Sequence, residues 1–407
     1  MTRTGQLKGA SATPLAGIRV IDITAVMAGP FGTLMLADRG ADVIKVESPA
    51  GDAMRHSGPA PQPGMSPIFQ HMNRNKRSIV LDLKKPGGVE VLMDLVRDAD
   101  VFVYNMRPKA MARLGIGYER LAAVNERIIY CGIVGFGQAG PYAGRPAYDD
   151  LIQGVSGIPD IVGRANGGEP HYVPFAISDR VAGLYAANAI LSALVEQGRT
   201  GKGAEIEVPM FEANVHFLMV EHLFGASFDP PVCSALNPRV LEPDRRPYPT
   251  RDGYVCVMPS TTRQWHSVFK LLGREDFQAD PRFADNASRR AHIDVLYGLL
   301  ASSLTERTTA EWLAVLVEAD IPVAPMNSIT ELTADPHLAA TGFFRKMAQQ
   351  GGEFLHMAAP AQWADRPFAD PLPAPALAQH TDDVLRELGY DELRIQALHR
   401  DGVTGGS

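Results

Sequence analysis

Gly17–Glu47 reads GIRVIDITAVMAGPFGTLMLADRGADVIKVE. Ile18–Ile23 is rich in β-branched residues and predicts a buried strand. Gly29 and Pro30 mark a turn, and Phe31–Ala37 is apolar enough for a helix that Gly40 ends. Ala41–Val46 is a second β-branched run, with Glu47 at its end. Strand, helix and strand in this order imply parallel pairing through a right-handed crossover. Glu47 stands where a dinucleotide fold places its ribose carboxylate, but the first turn lacks the G-x-G-x-x-G spacing. Classical NAD binding is set aside on that ground.

The pattern repeats outward. Ser78–Leu83 predicts a strand, Pro86 a helix start, and Val89, Leu92, Met93 and Val96 an apolar helix face. Val101–Tyr104 and Ile128–Val134 predict strands around a short helix with Leu121 and Val124. Residues 48–74 and 155–173 read as irregular. Ala204–Val208 alternates as a strand does, and Met210–Phe224 reads helical. The whole predicts an α/β architecture with a mostly parallel sheet. From residue 225 the composition turns Pro-rich and polar. We read 1–225 as the first part of a large domain and 226–325 as a smaller α+β domain. Strand Tyr254–Met258 and helices Trp265–Leu272 and Ala310–Ala319 belong to the latter. Ile321–Met326 predicts a return crossing, and 326–407 a return to the large domain. There Thr381 is expected to cap a helix bearing Val384, Leu385 and Leu388.

Bulk properties exclude several classes. A chain of 407 residues suits two domains. Its net charge of −7 implies no broad basic surface, which sets aside nucleic acid and anionic membrane as general partners. No apolar run reaches membrane-spanning length. Cys131, Cys233 and Cys256 are too scattered for a disulfide framework or a zinc site, and fit a reducing, cytoplasmic setting. His71, His171 and His216 lack metal spacing, so no metal is expected. Residues 1–14 have no apolar core and read as a loose tail, not a signal peptide.

Two stretches carry candidate chemistry. Gly135-Phe136-Gly137-Gln138-Ala139-Gly140 matches G-x-G-x-x-G by letter, but Pro141, Tyr142, Gly144 and Pro146 follow and no helix can begin inside it. It reads either as an ordinary turn or as an open loop whose backbone N–H groups approach a ligand. Pro174–Gly203 reads PFAISDRVAGLYAANAILSALVEQGRTGKG. Ser178 and Asp179 precede a helical run of Val181, Leu184, Leu191, Leu194 and Val195, with Gly198 placed as its C-terminal cap. Asp179 is then either an N-cap or a carboxylate nucleophile held ionised by the helix dipole.

Taken together in this order, PLAGIRVIDIT, NKRSIVLDLK, RLGIGYERL, GFGQAGPY, AYDDLIQG, SDRVAGLYAANAILSAL, RTGKGAEIEVPM and HTDDVLRELGY resemble the class III CoA-transferase family, the type of formyl-CoA transferase and carnitine CoA-transferase. The resemblance spans nearly the whole chain. It implies a Rossmann-like large domain built from both chain ends and an interlocked homodimer. It implies Asp179 as the catalytic aspartate, with Gly135 and Gly137 in the loop beside the reacting thioester. Lys76, Arg77, Arg107 and Arg113 are implied as CoA contacts. Met27 stands where relatives carry a glutamine, and Tyr148 where the racemase branch carries its histidine. The substrates implied are a CoA thioester and a carboxylic acid, with no permanently bound cofactor.

The residue types suit that chemistry. An ionised Asp179 can attack a thioester and leave again, in two easier steps. A tyrosine, with a pKa near ~10, is a poor proton-transfer partner for a carboxylate, so Tyr148 favours transfer over α-carbon racemisation. Arg55, His56, Arg180, Arg245 and Arg246 are candidates for holding a substrate carboxylate, and together they point to a dicarboxylate acyl group. A non-catalytic CoA-binding protein is the third reading.

Overall fold

The structure is a computed structural model, described here for residues 13–349, 351–364 and 370–405. Most of the expected N-terminal tail lies outside the described residues. Six strands, β1 (Arg19–Asp22), β2 (Asp42–Glu47), β3 (Lys76–Val80), β4 (Val101–Tyr104), β5 (Ile129–Val134) and β6 (Ala204–Pro209), form one sheet in the order β3-β2-β1-β4-β5-β6. Every pairing is parallel. Ile21 lies opposite Ile44 on one side and Phe102 on the other. The order reverses between β1 and β4, where a doubly wound sheet opens a crevice at its carboxyl edge.

Alternation along the strands feeds two cores, as a sheet covered on both faces requires. Ile21, Ile44, Phe102 and Tyr130 pack in one core; Val20, Val43, Val101, Val103 and Cys131 pack in the other. The helices of the first part are α1 (Ala28–Ala37), α2 (Pro67–Asn73), α3 (Pro86–Arg97), α4 (Pro108–Leu114), α5 (Tyr118–Val124), α6 (Asp149–Ser156), α7 (Ile158–Asn166), α8 (Ile177–Thr200) and α9 (Met210–His222). Leu92, Val96 and Leu121 place α3 and α5 in the first core, whereas Leu36, Ala186 and Ile190 place α1 and α8 in the second.

The chain folds as two compact units. The larger contains the residues up to Gly157, Tyr172–Phe217 and everything from Thr341 onward. Its strands in the main sheet all lie between Arg19 and Pro209. The C-terminal part adds helices Thr381–Glu387 and Glu392–Arg400, whose Val384, Leu385 and Ile395 enter the first core. The smaller unit contains Ile158–His171 and Leu218–Ala340. Its antiparallel strands Tyr248–Pro249, Tyr254–Val257 and Val323–Pro325 back a core of Trp265, Phe269, Phe283 and Trp312.

Several expectations change. Gly29 and Pro30 lie inside the first turn of α1, where a proline's missing N–H is harmless. The 48–74 and 155–173 stretches hold α2 and α7, and α7 belongs to the smaller unit. Gly198 is helical; Gly201, at φ 75°, is the left-handed cap of α8. Val323–Pro325 is a strand of the small sheet rather than a return crossing. Thr381 does not cap its helix; its Oγ1 accepts the Val80 N–H and fastens the helix to β3.

Candidate active site

Two glycines set the position of α8. A Cβ on Gly183 would stand 2.7 Å from the Ala28 carbonyl oxygen, and one on Gly32 would stand 3.0 Å from the Gly183 carbonyl oxygen. Their absence lets α1 and α8 cross in close contact. Asp179, one turn ahead of Gly183 on the same face, is thereby brought to the loop that enters α1.

Asp179 lies in the first turn of α8 without capping it. Its backbone N–H donates to Asp149 Oδ1 at 3.0 Å. The other Asp149 oxygen accepts from Gln153 Nε2 at 2.6 Å, and buried Gln153 also accepts the Val173 N–H at 2.9 Å. Among the described residues, no hydrogen bond or ion pair engages the carboxyl oxygens of Asp179. Burial pushes its pKa up, the Asp149 carboxylate pushes it further, and Arg180 offsets this only in part, leaving it at about 7. The expectation of a carboxylate held ionised by the helix dipole is therefore corrected. Desolvation is the larger cause and a like charge adds to it.

Asp179 opens on a cavity of about 450 Å³ at the carboxyl ends of β1, β4 and β5. Its walls are the β1–α1 loop with Val26 and Met27, the segment after β4 with Asn105 and Arg107, and the stretch from Gly135 to Tyr148. The structure thus brings together Met27, Arg107, Gly135, Tyr148 and Asp179. A second cavity of about 490 Å³ lies at the ends of β1, β2 and β3, lined by Leu81, Leu83, Leu114 and Arg113. Ala25, Met106 and Ala110 line both, so the two cavities adjoin.

Other expected residues lie elsewhere. Lys76 is fully buried, and its Nζ donates to Asp22 Oδ2 at 3.1 Å, Thr33 Oγ1 at 2.8 Å and Asn73 Oδ1 at 3.0 Å. It is enclosed and lines neither cavity. Arg77 lines neither cavity; it pairs with Asp42 at 2.7 Å and Glu387 at 2.6 Å. Gly137 does not reach the cavity either. Its N–H donates to Glu212 Oε1 at 3.0 Å, and the next N–H, of Gln138, donates to Glu207 Oε1 at 3.0 Å. The loop's amides are occupied there, not open. Arg55 is buried against Glu47 at 2.6 Å, which also removes Glu47 as a ribose ligand. Arg180 donates to the Ala176 carbonyl, and Arg245 and Arg246 belong to the smaller unit.

Three site residues escaped the sequence reading. Asp149 reads as an ordinary helix-start acid. Asn105 reads as loop polarity after β4. Arg145 reads as surface charge, yet it lines the Asp179 cavity with its guanidinium 4.1 Å from the Tyr142 ring centre. Among the described residues no cluster of three or more His, Cys, Asp or Glu side chains could hold a metal ion, and no helix is long and apolar enough to cross a membrane.

The doubly wound sheet carries two adjoining cavities at its switch point, one of them lined by an unpaired carboxyl group. The chain belongs to CoA-transferase family III, whose sequence profile it matches over residues 15–381. It is 35% identical to the succinate–glutarate CoA-transferase of Agrobacterium fabrum, covering 92% of this chain and 96% of that one. Similarity to the mouse succinyl-CoA:glutarate CoA-transferase is 34% over 97% and 91% of the two chains. Acetyl-CoA:oxalate CoA-transferase of Acetobacter aceti is 36% identical over 82% and 86%. A crystal structure of a CAIB/BAIF family protein from Brucella suis superposes with a TM-score of 0.78, at 33% identity, covering 93% of this chain and all of that one. The protein is accordingly a class III CoA-transferase, and its substrates are an acyl-CoA thioester and a carboxylate.

Proposed function

We propose that the enzyme moves CoA between carboxylic acids of which at least one is a dicarboxylate, with Asp179 as the nucleophile. The observation that carries this is the unpaired Asp179 carboxyl group, half-buried and lining a cavity that adjoins a second one lined by Arg113. Ionised Asp179 attacks the thioester carbonyl, the C–S bond breaks, and a mixed anhydride and CoA thiolate result. The thiolate attacks the aspartyl carbonyl, releasing the donor acid and leaving CoA as a thioester on Asp179. An incoming carboxylate displaces that thiolate to form a new anhydride. The thiolate then attacks the new acyl carbonyl and frees Asp179.

Each attack builds an oxyanion that needs donors aimed at it. With the Gly137 and Gln138 amides occupied, the first N–H groups of α1, at Ala28 and Gly29, are the better suppliers. The cap position, Met27, offers no side-chain acceptor. Arg113 and Arg107 suit the CoA phosphates by charge and fork geometry. Dicarboxylate names recur among the relatives, and Arg107 and Arg145 are the cations lining the reacting cavity, neither in an ion pair among the described residues.

Racemisation would need a second proton carrier across from Asp179. Among the described residues no histidine lines the cavity, and Tyr148 there is largely exposed. A homodimer is supported by apolar side chains left exposed on α6, α8 and α9, among them Leu151, Val155, Leu184, Val195 and Phe217. Light scattering should give twice the 44.0 kDa chain mass. Exposed, unpaired Cys233 and Cys256 support a cytoplasmic setting.

The decisive experiment is mass spectrometry after incubation with succinyl-CoA and trapping by hydroxylamine or borohydride. Modification of Asp179 supports the mechanism; turnover with Asp179 unmodified overturns it.

A further inference from the structure

The loop between β1 and α1 forms the wall that faces Asp179, and side chains hold it at Thr24, Ala25 and Val26. Lys45 Nζ donates to the Thr24 carbonyl at 2.9 Å. Asn105 binds Ala25 twice, accepting its N–H at 3.0 Å and donating to its carbonyl at 2.7 Å. The Val26 N–H donates to Asp52 Oδ1 at 3.1 Å, and the other Asp52 oxygen is paired with Lys45 at 2.9 Å, both charges being buried. Within this frame Val26 has φ 70°. For a β-branched residue that is a left-handed outlier, which persists only where its surroundings over-determine it. Nothing in Val26 itself favours the conformation; the clamp does.

We propose that Asn105, with the Lys45–Asp52 pair, is a positioning residue for CoA transfer: it holds Val26 strained so that the wall from Ala25 to Ala28 stays aligned with Asp179. The proposal rests on the reading of Asp179 as nucleophile. Asp52 and Lys45 line the neighbouring cavity while Val26 lines the reacting one. The clamp therefore ties the shape of the reacting wall to residues under the adjoining cavity. If it is loosened, Val26 relaxes toward negative φ and carries Met27 and Ala28 out of line.

The strain provides the test, because glycine adopts positive φ without penalty. Succinyl-CoA, a glutarate acceptor and the full-length enzyme are used throughout. Asn105→Ala should lower kcat about 100-fold, the scale of a small misplacement of reacting groups, with a much smaller change in KM for the thioester. Adding Val26→Gly to that variant should recover about tenfold or more of kcat, since the conformation no longer needs to be enforced. A purely structural role for Asn105 predicts no such rescue. Should Asn105→Ala not fold, Asn105→Asp is used with the same partner substitution; it keeps the acceptor for Ala25 and replaces the donor by a charged oxygen, so rescue by Val26→Gly, not the size of the first loss, is the readout. The proposal is overturned if the asparagine variant changes KM alone, or if Val26→Gly fails to restore kcat. If the unmodified enzyme never labels at Asp179, the nucleophile reading fails as well; labelling at Asp179 without rescue sinks the clamp alone.

Discussion

Two carboxyl groups, one buried and one half-buried, stand at the carboxyl edge of the main sheet, and desolvation acts on both in the same direction. At the end of β1, Asp22 is fully enclosed; burial pushes its pKa up, but Lys76 and Lys45, with hydrogen bonds from Thr24 and Thr33, reverse that and hold it at about 2. At the head of α8, burial pushes Asp179 up too, Asp149 adds to the push, and the result is about 7. The neighbours, not the depth, decide the outcome. A carboxylate fully paired in the core is part of the frame, and one left without a partner beside a cavity is equipped to react.

The comparison predicts opposite failures. Asp179→Ala should fold, bind CoA and lose about 10⁴-fold or more in kcat, as removal of a catalytic nucleophile does. Steady-state transfer and a thermal melt check both halves. Lys76→Met should instead damage the fold. It leaves Asp22 ionised in the core without its closest cation, a loss of about 3–5 kcal/mol by urea unfolding. Combining it with Asp22→Asn should recover part of that loss, because the two changes share one interaction. A Lys76 variant of ordinary stability with weakened CoA binding would restore the residue to the CoA site and break the contrast.

The same contrast explains what was legible in the sequence. Strand and helix identity in the main sheet could be read because β1, β2, β4 and β5 keep one face in each core, as Val20 and Ile21 do. Asp179 could be located from the helix start and its motif. Its pKa could not, because Asp149 lies thirty residues away and meets it only through the fold. Lys76 and Arg77 sit in a motif that reads as basic. Whether a lysine on a strand points to solvent or into the core depends on the strand's register, and Lys76 faces inward onto Asp22. Gly137 reads as an open amide because the carboxylates that occupy the loop, Glu207 and Glu212, come from β6 and α9. In each case the missing information was a long-range partner.

A smaller effect follows from the helix crossing that delivers Asp179. In Gly183→Ala the new methyl group would meet backbone, the Ala28 carbonyl oxygen at 2.7 Å, with the Phe31 ring at 3.1 Å. Neither is the far end of a flexible chain, so the helices must part. The expected loss is about 1–3 kcal/mol, as in other overpacked cores. Activity should fall along with it, because the shift displaces Asp179 relative to the β1–α1 loop. Full activity with unchanged stability would mean that the crossing does not set the site.

The finest test concerns the charge that separates the two carboxyl groups. In the proposed mechanism Asp179 must be ionised to attack, so with a pKa of about 7 the acylation rate should rise as pH increases through 7. Stability should move the other way. Between the ordinary value of 3.8 and about 7 the folded state holds a proton that the unfolded chain has released, so stability falls as pH rises across that window. Asp179→Asn should therefore melt at a higher temperature than the parent at pH 8, with the difference gone below pH ~4. Asp149→Asn keeps a side-chain acceptor for the Asp179 N–H while removing the like charge. The acid limb of single-turnover acylation should then move to lower pH, by about one unit or less. Burial alone accounts for whatever upward shift remains. An unmoved limb would mean that Asp149 only orients α8, and the contrast with Asp22 would then rest on desolvation and the absence of a cation.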